Sequence, residues 1–298
     1  MAKRRNWLSL LFITLPLLLS AQRIDKKVLL QDIKYLGSEE LAGRKPLTQE
    51  SLMAREYIKQ RFDSLGLTSQ YADFTQFFSL KGNGEKQGKA ANIIGFIPGQ
   101  ESSKIIVITA HYDHLGREGD KTFYGADDNA SGTAGLLALA AYFSVNKPRH
   151  SIMFAAVDAE ELGLLGARAL VKDFPFPLEN VLLNINMDMI SRSEKGELYA
   201  AGTIHYPELL PLLKESSESA KINLKFGHDQ PGTGSDDWTN ASDHAAFHEK
   251  GIPFIYFGVE DHQDYHKSTD TYENIDPEFF YHAVELIVKC VETFDENL

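Results

Sequence analysis

The sequence predicts an α/β fold, a layered sheet covered by helices, and three observations carry that reading. After residue 90, short apolar runs alternate with segments of helical period, the pattern of strands and helices laid in layers. The runs at 92–97, 104–110, 151–157, 180–186 and 253–257 are apolar almost throughout, which suits strands buried on both faces. Of 298 residues, 43% are hydrophobic and 24% charged, values that fit a chain burying a core rather than a disordered one.

The elements follow in order. Residues 1–21 read as a secretory signal peptide: Lys3-Arg4-Arg5, then a mostly apolar stretch from Trp7 to Leu19, then Ser20-Ala21 as a small-residue cleavage site before Gln22. The apolar run is short for a membrane span, which takes roughly 20 residues, and no cysteine near the junction offers a lipid attachment point. Residues 24–36 and 49–65 have helical period; the second segment puts Leu52, Ala54, Tyr57, Ile58 and Phe62 on one face and stops at Gly66. Residues 81–90 are polar and glycine-rich, a hairpin loop rather than a linker. Beyond them the strands at 92–97 and 104–110 lead to a helix at 131–143. A strand at 151–157, a helix at 160–171 and a strand at 180–186 come next. Helices at 207–220 and 240–250 and a strand at 253–257 complete the alternation. The final helix, 277–293, opens on Asp276 as N-cap with Pro277 behind it. No repeat, low-complexity tract or second boundary interrupts the chain, so residues 22–298 form a single domain.

The net charge is −12, and loss of Lys3, Arg4 and Arg5 with the leader makes it −15. Such a chain is a poor partner for nucleic acid or, once the signal is cleaved, for an anionic membrane. Cys290 is the sole cysteine, so no intramolecular disulfide forms. An exported, periplasmic or extracellular protein of this kind relies on its core or on metal.

Four of the apolar runs end in acids or histidines. The run to Ala110 is followed by His111 and Asp113, and the run to Val157 by Asp158, Glu160 and Glu161. The run through Met187 is followed by Asp188, and the run to Phe257 leads to His262, Asp264 and His266. In open α/β sheets ligands bind outside the carboxyl ends of the strands, so these groups converge. Each alone has a plainer reading. An Asp after a strand caps a helix, Glu160-Glu161 suits an acidic first helical turn, and Asp127-Asp128-Asn129 suits a turn. Asp188 resists such a reading, because a carboxylate in an otherwise apolar segment needs a partner or a metal. His114, His244, His248 and His262 lie near these motifs and read as supporting or surface histidines.

The motifs His111-x-Asp113, Gly125-Ala-Asp-Asp-Asn-Ala-Ser-Gly132, Asp158-Ala-Glu-Glu-Leu-Gly163, Asn186-Met-Asp-Met-Ile190, Ser242-Asp-His-x-x-Phe247 and Tyr265-His266 stand in this order. Upstream of them runs Leu36-Gly-Ser-Glu-Glu-Leu-Ala-Gly-Arg44. Together they resemble the M28 family of zinc peptidases, of the bacterial dinuclear leucyl-aminopeptidase type, over roughly residues 30–295. The resemblance implies a three-layer α/β/α sandwich with a central mixed, mostly parallel twisted sheet. It implies two Zn2+ ions, one held by His111 and Asp188, the other by Glu161 and His266, with Asp128 bridging them. Glu160 would be the general base acting on a metal-activated water. Asp113 would orient His111, and Tyr265 would donate to the oxyanion. A cis peptide after Asp128 is implied as well. Ser242 and Asp243 match a substrate-facing position, with a helix N-cap as the other reading. Adjacent places at a helix start would let Glu161 reach metal while Glu160 faces the water. The expected activity is removal of N-terminal residues from peptide substrates, with the favoured terminus and side chain left open. A single-zinc glutaminyl cyclase on the same scaffold is the first alternative, and a metal-free binding module the second.

Overall fold

The apolar runs become the middle of an eight-stranded sheet in a computed structural model that describes residues 23–81 and 87–298. The expected signal peptide and residues 82–86 lie outside the described residues; the loop expected at 81–90 is corrected at its ends, where Lys81 closes one strand and residues 87–90 open the next. The sheet contains β1 (Thr75–Lys81), β2 (Gln87–Ile97), β3 (Glu101–His111), β6 (His150–Val157), β7 (Val181–Met187), β8 (Glu197–Ala201), β9 (Asn223–Phe226) and β10 (Phe254–Gly258). A separate small hairpin holds β4 (Gly116–Glu118) and β5 (Lys121–Phe123). The order across the sheet is β1-β2-β6-β3-β7-β10-β8-β9. β6, β3, β7 and β10 run parallel, whereas β2 and β8 pair antiparallel onto the two sides of this group. The sheet is therefore mixed and mostly parallel at its centre.

The period-2 geometry of strands divides the core. In β3, Ile106, Ile108 and Ala110 face one side, while Ile105 and Val107 face the other. The first side is covered by α1 (Lys26–Leu36), α2 (Gln49–Ser64), α3 (Gly132–Val145), α5 (Leu210–Ser217) and α7 (Pro277–Asn297). The second is covered by α4 (Leu165–Lys172) and α6 (His244–His248). These are the three layers expected. In β7, Leu183, Ile185 and Met187 pack under the larger helical layer, and Asn184 and Asn186 point the other way. There the Asn184 amide donates to the Val107 carbonyl, Thr109 Oγ1 donates to Asn186, and the Asn186 amide donates to Ser242 Oγ. A polar ladder thus fills the few positions of the central strands that are not apolar. Cys290 is buried in α7.

Three expected helices are shorter than the sequence pattern suggests. The segment 160–171 becomes helical only at Leu165, because Ala159 and Leu164 take left-handed φ values of 59° and 60° and Glu160–Gly163 form a turn. The segment 240–250 is helical only over α6, after a 3-10 turn at Trp238–Asn240. The segment 207–220 starts as a 3-10 turn at Pro207–Leu209. β1, β8 and β9 were not expected: β9 is short and never fully buried, so it lacks the unbroken apolar run that marks the inner strands. Among the described residues no helix is long and apolar enough to cross a membrane.

Candidate metal centre

Parallel strands bring their carboxyl ends to one edge of the sheet. β3 delivers His111 there, β6 leads into the turn with Glu160 and Glu161, β7 delivers Asp188, and the loop after β10 returns with Tyr265 and His266. Asp128 arrives on the segment 125–131, between β5 and α3. That segment is fixed from several sides. The Asp127 and Asp128 N–H groups donate to the Asp270 carboxylate at 2.9 and 3.1 Å. The Asn129 side chain donates to the Met187 carbonyl and accepts from the Gly132 N–H. The Asp128–Asn129 peptide is cis. From beneath, the buried Arg44 guanidinium donates to the carbonyls of Leu36, Tyr112, Tyr124 and Gly125.

Two sets of donor atoms result. His111 Nε2 lies 3.3 Å from Asp188 Oδ1 and 3.5 Å from Asp128 Oδ1. His266 Nε2 lies 3.1 Å from Asp128 Oδ2 and 3.5 Å from Glu161 Oε2. Ligands about 2.0–2.1 Å from a tetrahedral zinc stand about 3.3–3.4 Å from one another, so both sets match the edges of a zinc coordination sphere. Asp128 presents one oxygen to each set, as a bridging carboxylate must. His111 Nε2 and Asp188 Oδ1 are buried without a hydrogen-bond partner, which is expensive unless an ion satisfies them. The residues fit two divalent cations.

The electrostatics point the same way. Burial pushes the Glu160 carboxyl up to about 10; Asp243, Asp188 and Asp113 add to this, and His111 opposes it. Burial likewise raises Glu161 and Asp128. Burial also works against an ionised Asp188, but His111, Ser242 and His244 together outweigh it and lower that carboxyl. Carboxylates this close share a pocket by keeping protons or by gathering around cations.

The other expected site residues are sorted by the same geometry. Asp113 meets His111 Nδ1 with its backbone carbonyl at 3.2 Å and, less closely, with its carboxylate Oδ1 at 3.7 Å; that Oδ1 accepts the Glu160 N–H at 3.0 Å. It therefore fixes the turn that carries Glu160 as well as the His111 ring. The placing of Glu160 and Glu161 on a helix start is corrected: they sit in the turn, where the Asp113 bond and the left-handed Ala159 aim them. Asp127 is no ligand candidate, since its carboxylate accepts from the Ser191 N–H and Oγ and meets His262 Nε2 at 3.0 Å. Tyr265 lines the cleft with its ring stacked on His266 at 4.0 Å. Burial, helped by Asp128 and Asp188, raises its hydroxyl, which stays a donor. The structure places Ser242 and Asp243 beneath the cleft rather than on its lining. Both are fully buried and absent from the cleft wall; Ser242 closes the Asn186 ladder, and Asp243 makes no side-chain cap to α6.

One residue was underrated by the sequence. His114 is completely buried, and its Nδ1 lies 2.7 Å from Glu161 Oε1 and 3.7 Å from Asp128 Oδ2. His114, Asp128 and Glu161 are thus close enough to form a ligand group of their own. Edge lengths favour His266 in that role, because 2.7 Å is a hydrogen-bond length, well short of a ligand–ligand separation. The signal that could have found His114 is its spacing, three residues after His111 at the end of the same strand.

The cleft above these atoms has a volume of about 500 Å³. Leu164, Met189, Trp238, Tyr256 and Val259 form its apolar wall, and Arg168 and Asp261 also line it. Arg168 is paired with Glu249 at 2.8 Å. Asp261 has no ion pair or side-chain hydrogen bond among the described residues.

Known proteins share both the sequence and this architecture. Aminopeptidase YwaD of Bacillus subtilis is 32% identical over 199 residues, covering 63% of this chain and 40% of that protein. A probable leucine aminopeptidase of Arthroderma otae is 29% identical over 220 residues, covering 68% and 57%. The chain thus spans about half the length of these curated relatives. A glutaminyl cyclase of Bacteroides thetaiotaomicron superposes with a TM-score of 0.73 at 18% identity, covering 91% of this chain and 99% of that one, a likeness of fold. The family model described as Peptidase family M28 matches residues 92–291. That span is two thirds of the chain and contains both donor sets, and the protein therefore belongs to peptidase family M28.

Proposed function

We propose that the protein is a zinc aminopeptidase that uses two metal ions and Glu160 as its proton carrier. The observation that carries this reading is the pair of donor sets sharing Asp128 through its two oxygens, with Glu160 beside them. Bound zinc supplies Lewis-acid polarisation of the scissile carbonyl and makes water a nucleophile near neutral pH. Glu160 takes the proton of the attacking water and returns it to the leaving amine. Its backbone is held by Asp113, so the carboxylate keeps its aim. The Tyr265 hydroxyl donates to the oxygen that gains charge in the transition state. The apolar wall around Trp238 and Tyr256 receives the substrate's terminal side chain. Asp261, a cleft acid without an ion pair among the described residues and apart from the two donor sets, attracts the substrate's α-ammonium group, whereas Arg168 is already engaged by Glu249. This asymmetry supports a free amino end over a free carboxyl end.

Glu160→Gln is expected to lower turnover of aminoacyl-nitroanilides by about 10²–10⁴-fold with zinc content unchanged. Near-normal turnover in this variant sinks the mechanism. N-blocked peptides are expected to resist the parent enzyme, and their cleavage would move the activity to another peptidase class. The likeness to a glutaminyl cyclase makes cyclisation of N-terminal glutamine the second reading. Zinc near one per chain together with that activity would favour it; two complete donor sets support the peptidase. We also propose export, on the strength of residues 1–21. Sequencing the N-terminus of the cell-free or periplasmic protein tests this, with Gln22 the expected first residue.

A further inference from the structure

His114 plays no part in the mechanism above, yet it is among the most enclosed polar side chains in the structure. Neither ring nitrogen has a well-formed hydrogen bond, and neither does Glu161 Oε1 facing it. The ring is seated on purpose-shaped backbone. Gly125 lies directly against it with φ 59°, and a Cβ there would stand 2.5 Å from His114 Cγ and 2.0 Å from the Asp128 carbonyl oxygen. The seat therefore excludes any side chain at 125 and holds the imidazole against Glu161. The two Glu161 oxygens face different histidines: Oε1 is 2.7 Å from His114 Nδ1, and Oε2 is 3.5 Å from His266 Nε2. One separation is a hydrogen-bond length and the other a ligand–ligand edge. The His114–Glu161 contact has the length of a hydrogen bond but not its alignment, and such contacts align when a site engages its ligand.

We propose that His114 is a positioning residue of the second metal position: its Nδ1–H holds Glu161 Oε1, so that Glu161 offers the ion Oε2 alone. A carboxylate held by one oxygen binds through the other. It leaves a coordination place open, as a catalytic zinc site requires. Released from His114, the same carboxylate is free to turn and offer both oxygens or neither. The inference rests on the two-metal reading of the site.

Two substitutions separate positioning from packing. His114→Asn keeps a donor near the place of Nδ1 and loses the ring; His114→Phe keeps a ring and loses the donor. Stepwise zinc affinities are measured on the whole protein by competition with a chromophoric chelator, alongside KM and kcat. The parent is expected to bind two ions. In His114→Phe the weaker-held second ion is expected to lose about 10–100-fold in affinity while the first is unchanged. His114→Asn is expected to recover most of that loss. The proposal is overturned if Phe retains the second ion and Asn loses it, since that pattern means packing alone. It is also overturned if both variants weaken both ions equally, or if neither changes either. A parent that binds fewer than two ions overturns the two-metal reading itself, and the role of His114 with it.

Discussion

At the scale of residues, adjacent acids with the same chemistry have opposite duties. Asp128 spans the two donor sets, and Asp127, one residue earlier, binds Ser191 and His262 instead. Asp128→Asn is expected to strip both ions, read as zinc content after dialysis. Asp127→Asn is expected to keep zinc and lose about 1–3 kcal/mol of stability, because buried donors lose their acceptor, read from urea midpoints. Equal zinc loss in the two variants would refute the division of labour. The order of the motifs, rather than any one residue, singled out His111, Asp128, Glu161, Asp188 and His266, since each alone has a plainer reading; the structure brings their donor atoms together. The sequence did not show that Asp113 also holds the Glu160 turn, or that Ser242 and Asp243 lie beneath the cleft lining. Their difference is one of aim, and aim depends on the turn at 159–163 and on what lies under the β7 ladder.

At the scale of elements, the inner strands were legible because burial on both faces leaves an unbroken apolar run. The outer strands β1, β8 and β9 were not, since edges and flanks mix polar and apolar residues. Helix starts were legible where capping chemistry was present. α7 opens on Asp276, whose carboxylate accepts from the Glu278 and Phe279 N–H groups, both at 3.0 Å. Asp276→Ala is expected to cost about 1 kcal/mol in chemical denaturation and to leave the catalytic constants unchanged. α4 has no such cap; its start is set by the left-handed Leu164 that ends the catalytic turn. The left-handed residues there override the helical period seen in the sequence, which is why the expected boundary was five residues early.

At the scale of the whole molecule, buried acids make stability depend on pH and metal together. Burial pushes Asp158 and Asp270 up to about 7 and Asp243 up to about 8, with neighbouring carboxylates adding to each. In the unfolded chain such groups lose their protons near pH 4. Between those limits the folded state holds more protons, so the stability of metal-free protein falls as pH rises from about 4 to about 8. Melting temperatures in chelator are expected to decline across that window, and added zinc is expected to reverse the trend. A flat or rising profile in chelator would contradict it. A last consequence concerns where the protein can be divided. The family match begins at residue 92, but Arg44 reaches from the chain before it to the carbonyls on either side of the metal loops. The segment that bears every catalytic motif is thus smaller than the segment that keeps them still. Trimming or transplanting the chain at its family boundary would carry over the two donor sets and leave behind the vice that grips them.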